Sequence, residues 1–198
     1  MGDFIEVKES GKLLPAKNAT ARLLLMFGGT DVNGRTSGTY MWDYVGGFKD
    51  KFHIFVASNN FVKGDKAYDA VMKTLEANHL TASDQILYLF SGGWSPGMQL
   101  LRAQGAKTFS SILLVDIWMR ADSENGQASA KFYKALADTD TKKLAYVFTP
   151  GGAVNKEARD YIANRLGPEK AKRVDYQDGV DQMDTHMSTN EVAVGMIK

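Results

Sequence analysis

Ser91 closes the apolar run 86–90 in the string QILYLFSGGWSPGMQLL, residues 85–101, and two glycines and a helical pattern follow it. A short strand ending on a serine, a sharp turn and then a helix presents the hydroxyl at the top of a sheet, where it can attack an acyl carbon. Such chemistry needs a base for the serine proton and backbone N–H donors for the oxyanion.

The same string contains a second serine in a formal G-x-S-x-G match, built from Gly93, Ser95 and Gly97. Ser95 is followed by Pro96, which has no N–H to donate to an oxyanion. A residue before proline is also held to extended backbone at negative φ, whereas a strained strand-to-helix turn puts its nucleophile at positive φ. Ser91 is followed by Gly92, which carries an N–H and no Cβ, and then by Gly93, so it is the better nucleophile. Two features depart from the pattern: Leu89 stands where a small residue is wanted, and Pro96 falls beyond the first turn of a helix begun at Gly92. Proline in a helix interior costs about 3 kcal/mol, so the first turn is expected to be irregular, with regular helix starting near Pro96. The ordinary alternative makes Ser95 an N-cap, Pro96 the first helical residue and residues 91–94 a plain loop.

Three histidines are available as bases. His53 falls within a strand pattern, and His79 ends a helical one, where it would cap carbonyls. His186 lies in the polar stretch DQMDTHMSTN, read as a loop, beside Asp184. Asp116 ends the apolar run SSILLVD and so shares the strand-end rim with Ser91. It could orient a base, or it could simply bind backbone N–H groups of the following loop. Tyr40, Trp42, Trp94, Met98 and Trp118 could line an apolar acyl pocket, or pack as core and lid.

These residues need a scaffold, and the hydropathy pattern supplies one. Residues 3–7 and 11–14 suggest an antiparallel hairpin or edge extension, broken at 15–18. Strands are then expected at 21–27, 52–57, 85–90, 111–115, 144–148 and 173–176. A glycine-rich loop at 28–38 precedes the first of six helical stretches, at 40–48, 66–78, 96–103, 128–137, 156–166 and 189–197. Strands alternating with helices imply βαβ crossovers and a mostly parallel sheet with helices on both faces, an α/β three-layer sandwich. At 198 residues and 44% hydrophobic content the chain is read as a single domain. Ligands of such a sheet bind beyond the carboxyl ends of its strands.

In this order of elements the chain resembles the α/β-hydrolase superfamily, in a small and divergent form, from about residue 21 onward. The resemblance implies that the string LLLMFGGTDVNG is an oxyanion loop, with Gly28, Gly29 and Thr30 as its donors beside Gly92. Without it, the glycine pair is a flexible turn. It also implies a triad in the chain order serine, acid, histidine, met here by Ser91, Asp116 and His186. The family's usual acid position is one strand later, in VFTPGGAVNKE, where Asn155 stands and no Asp occurs. Asp122 is a fallback acid.

Composition narrows the alternatives. Lys+Arg 24 against Asp+Glu 23 leaves no general basic field for nucleic acid. With Cys 0, disulfides, thiolate metal sites and a cysteine nucleophile are excluded. The loop FGGTDVNGR lacks the G-K-[ST] ending of a phosphate-binding loop, no G-x-G-x-x-G follows a strand, and the scattered histidines lack metal-ligand spacing. Residues 1–12 contain no apolar segment of a secretory signal, and the longest apolar stretches are far short of the roughly 18–20 residues that span a bilayer. The expectation is therefore a soluble, cytoplasmic serine hydrolase of esterase type, needing no cofactor and acting on a small-molecule acyl or ester substrate. A non-catalytic binding or assembly protein on the same fold is the alternative.

Overall fold

The computed structural model describes residues 3–29, 35–151 and 155–197. The chain divides into two compact units, Met1–Ser111 and Ile112–Lys198.

The first unit opens with a hairpin, β1 (Ile5–Val7) and β2 (Gly11–Leu14), followed by β3 (Thr20–Phe27). A single helical turn α1 (Ser37–Tyr40) leads through 3-10 turns to β4 (Phe52–Ala57). Helix α2 (Gly64–Ala77), strand β5 (Thr81–Phe90) and helix α3 (Trp94–Gln104) complete it. Its strands lie in the order β1-β2-β4-β3-β5, with β4, β3 and β5 parallel and the hairpin joined antiparallel through β2 to β4. Parallel strands covered on both faces read as continuous apolar runs, as β4 does: all of its residues are buried, His53 included. The expected helix at 40–48 is instead the α1 turn plus two short 3-10 turns. Gly46 and Gly47 interrupt that stretch, and each glycine costs about 1 kcal/mol of helix propensity.

The second unit takes in β6 (Ser111–Val115) from its second residue onward, α4 (Glu124–Thr139), β7 (Leu144–Phe148), α5 (Lys156–Leu166), β8 (Ala171–Arg173) and α6 (Gln182–Val194). β6, β7 and β8 are parallel and adjacent in that order. Helix α4 begins four residues before the expected 128, because the Ser123 hydroxyl accepts the Gly126 N–H and starts the helix there. The last strand lies at Ala171–Arg173 rather than 173–176; Tyr176 has left the ladder and its ring lies against Gly151. Helix α6 also begins early. Its N-cap is Asp181, whose carboxylate accepts the Met183 N–H at 2.6 Å, so His186 sits in a helix and not in the expected loop. No helix among the described residues is long and apolar enough to cross a membrane.

Candidate active site

At the end of β5 the backbone of Ser91 has φ +50°, a left-handed conformation that costs a non-glycine residue about 1–2 kcal/mol. Close packing holds it there. The turn Ser91–Gly93 passes directly against the end of β3: a Cβ on Gly93 would lie 2.1 Å from the Phe27 carbonyl oxygen. A Cβ on Gly29 would fall 2.6 Å from the Ser91 Cβ and 2.8 Å from its Oγ, so the loop after β3 touches the serine itself.

The 3-10 geometry of this turn is the irregular start anticipated from Pro96, although the α-helix begins at Trp94. Pro96 is the third residue of α3, within the first turn, where a missing N–H is tolerated. Ser95 is an interior residue of α3, not its cap, and its φ is not positive. The Leu89 departure also has a physical resolution. Leu89 is fully buried, and a Cβ on Gly97 would lie 2.3 and 2.5 Å from its two δ carbons, so the bulk at one position occupies the space left empty at the other.

Near Ser91, Gly92 is buried at the start of the helical turn, where N–H groups lack intrahelical partners. The Gly29 N–H donates to the hydroxyl of Tyr40 at 3.0 Å. Tyr40 is 2% exposed and packs edge-on to Phe90, with ring centroids 6.3 Å apart. Gly28 lies against Ser37 and Met41. Thr30 is outside the described residues.

The second unit holds the acid and the histidine. Asp116 follows β6 with φ +42°, is 7% exposed, and has its N–H bonded to the Val147 carbonyl at 2.7 Å. Its Oδ2 lies 2.6 Å from His186 Nδ1. A carboxylate is acceptor-only, so Nδ1 carries the proton and the lone pair is on Nε2. The same carboxylate accepts the Thr149 N–H at 3.0 Å on Oδ1 and the Thr149 hydroxyl at 2.9 Å on Oδ2. Thr149 directly follows β7, one strand later, and is 3% exposed. Asp116 thus bonds both a histidine and a loop N–H, though that loop follows β7 and not β6.

Other candidates are occupied elsewhere. Asp122 is exposed and paired with Arg120, whose Nε lies 2.7 Å from its Oδ1. Asn155 caps α5, accepting the Ala158 N–H at 3.1 Å. His53 accepts the Ala16 N–H on Nδ1 at 3.1 Å and donates from Nε2 to the Ala19 carbonyl at 3.3 Å; burial lowers its pKa. His79 is exposed at φ +55° and its backbone N–H caps the Glu76 carbonyl. Among the pocket candidates, Trp42 packs edge-on to Phe4 at 4.8 Å, Trp118 is 40% exposed under the Arg120 guanidinium, and Trp94 and Met98 are half-buried. Among the described residues no cluster of His, Cys, Asp and Glu could hold a metal ion. Thr149 and the Tyr40 hydroxyl make contacts with candidate residues that sequence patterns do not reveal; the local sign of the first is that it follows a strand, just before Pro150.

No protein-family model matches this sequence, and no curated protein matches it. Solved structures do resemble it. Est1E from Butyrivibrio proteoclasticus is similar with a TM-score of 0.56 at 10% identity, covering 98% of this chain and 97% of its own. The α/β hydrolase GrgF from Penicillium sp. sh18 gives 0.54 at 10% identity, over 93% and 94% of the two chains. The esterase RhEst1 from Rhodococcus sp. ECU1013 gives 0.50 at 11% identity, over 98% of each. With parallel strands alternating with helices in both units and structural likeness running over nearly its whole length, this chain has the α/β-hydrolase fold.

Proposed function

We propose that the protein is a serine hydrolase cleaving an ester or related acyl bond, with Ser91 as nucleophile, His186 as general base and then acid, and Asp116 orienting the histidine. The observation that carries this reading is Ser91 itself, a non-glycine residue held at φ +50° at a strand end and packed against Gly29. Strain of this kind collects at functional sites. Support comes from the 2.6 Å contact between Asp116 and His186 Nδ1, which leaves Nε2 as the basic nitrogen. The esterase RhEst1 shares the fold, which makes the chemistry a natural use of it.

In this scheme His186 Nε2 takes the Ser91 proton as Oγ attacks the acyl carbon. The oxyanion is held by the Gly92 N–H and by the 28–30 loop. Collapse expels the alcohol, which receives the proton from His186, and leaves an acyl-serine. Water, deprotonated by His186, then releases the acid and regenerates Ser91. Every step is acid–base or acyl transfer by the chain's own groups.

The engagement of the Gly29 N–H by Tyr40 favours the rival reading, a non-catalytic binding or assembly protein, because it occupies a donor an oxyanion would use. Labelling with a fluorophosphonate probe and peptide mapping separates the two. The hydrolase labels at Ser91, and the label disappears in Ser91→Ala and His186→Ala but persists in Ser95→Ala. A folded protein that takes no label refutes the hydrolase; a label at Ser95 refutes the choice of serine.

A further inference from the structure

Thr149 does more than follow a strand: we propose that it is a positioning residue that sets the plane of the Asp116 carboxylate and so aims it at His186. The inference builds on the hydrolase reading for its kinetic consequence and on geometry alone for the rest.

A carboxylate on a short side chain can still rotate about its last bond, and its two oxygens are chemically equivalent until something distinguishes them. Here Thr149 distinguishes them. Its N–H reaches Oδ1 at 3.0 Å, and its hydroxyl lies 2.9 Å from Oδ2 and 3.2 Å from Oδ1, so a single residue grips both oxygens while Oδ2 faces His186 Nδ1. Because the ionised carboxylate only accepts, the Thr149 hydroxyl must donate to it.

The grip is itself rigid. Thr149 precedes Pro150, which confines its backbone to extended conformations. On the other side, the guanidinium of Arg159, 6% exposed on α5, donates through Nη1 to the Pro150 carbonyl at 2.5 Å and to the Thr149 carbonyl at 3.4 Å. The register places the two ends side by side, since Val115 pairs with Val147 and the Asp116 N–H bonds the Val147 carbonyl. The sequence of contacts therefore runs from Arg159 through the Thr149–Pro150 backbone to Asp116 and His186, all within one unit.

The test compares Thr149→Val, which keeps shape and N–H but loses the hydroxyl, with Thr149→Ser, which keeps both donors. The imidazole of His186 is followed by NMR, its Nδ1–H resonance assigned by loss in His186→Ala among only three histidines. Without the hydroxyl the carboxylate is free to turn away from Nδ1, so in Thr149→Val the His186 Nδ1–H proton resonance moves upfield of its wild-type position. Tyr146, whose hydroxyl feels the charges of Asp116, Arg159 and Asp160, is present in every variant. On an ester that labelling has shown to be a substrate, kcat falls roughly tenfold with KM little changed, and Thr149→Ser restores both readouts. An unmoved His186 Nδ1–H resonance in folded Thr149→Val, or a Thr149→Ser variant as impaired as Thr149→Val, overturns the proposal. The resonance reads the grip even if the wild-type protein takes no fluorophosphonate label, so failure of the hydrolase reading and failure of this one are told apart.

Discussion

Leu89 and Gly97 form a pair whose energetics can be worked out from their contacts. Leu89→Ala removes a fully buried side chain and costs about 3 kcal/mol, within the usual range of 2–5. Gly97→Ala has two opposing parts. Alanine inside α3 gains about 1 kcal/mol of helix propensity. Its methyl would also sit 2.3 to 2.9 Å from three carbons of Leu89, and overpacking of this kind costs about 1–3 kcal/mol. Because those carbons belong to a side chain and not to backbone, about 2 kcal/mol is the reasonable figure, and the single variant loses about 1 overall. Additive behaviour would put the double variant near 4 kcal/mol. In the double variant, however, the obstructing carbons are gone, the propensity gain remains and the new methyl enters the vacated space, so the loss should be about 2. The coupling of about 2 kcal/mol is readable by urea unfolding of the four proteins, with midpoints compared at constant slope. Additivity within about 0.5 kcal/mol would refute the claim that Gly97 is what lets a leucine stand two residues before Ser91.

Three further outcomes are expected. Gly93→Ala aims its methyl at the Phe27 carbonyl, a backbone atom that cannot rotate aside, so it should cost about 3 kcal/mol and lower Tm by roughly 6–12 °C, whereas Gly47→Ala, which meets nothing within 4 Å, should leave Tm almost unchanged in thermal melts. Tyr40→Phe frees the Gly29 N–H from the hydroxyl that now accepts it, and if the oxyanion takes that donor, kcat/KM on an active ester should rise about two- to tenfold; a fall would show that the hydroxyl itself serves the reaction. His53 is held neutral by burial, below its ordinary pKa, so the unfolded chain binds the extra proton first, and stability is lost as pH falls from about 6.5 through the depressed folded value. Urea midpoints measured at pH 7.5 and 5 should drop further in wild type than in His53→Gln, and equal drops would remove His53 from the acid response.

Much of this architecture is legible in the chain because burial leaves a strong trace. The strands at 52–57, 111–115 and 144–148 have the expected bounds, since parallel strands covered on both faces are unbroken apolar runs. Boundaries set by a single side-chain hydrogen bond are harder to see. The caps at Ser123 and Asp181 each moved a helix start forward, and the second carried His186 from a presumed loop into α6. The site is legible only in part. Pro96 counts against Ser95 and the following glycines count for Ser91 in the sequence alone, while the backbone conformation of Ser91, φ +50°, is a fact of the fold. The Thr149 grip and the Leu89–Gly97 fit join residues on different elements, and no local pattern announces which side chains the fold brings together.

His53 also bears on how this chain comes apart. Its two ring nitrogens fasten Ala16 and Ala19, the segment that ties the β1–β2 hairpin to the parallel strands. Protonation turns the acceptor nitrogen into a donor facing the Ala16 N–H, so acid loosens this fastening of the hairpin. Its departure would uncover the edge of β4, whose sequence FHIFVA is apolar apart from that histidine and contains no proline or acidic residue. A bare edge of this composition recruits further strands. The hairpin therefore covers an edge suited to self-association, and a rise in light scattering as pH falls below neutral is the outcome expected if acid uncovers it.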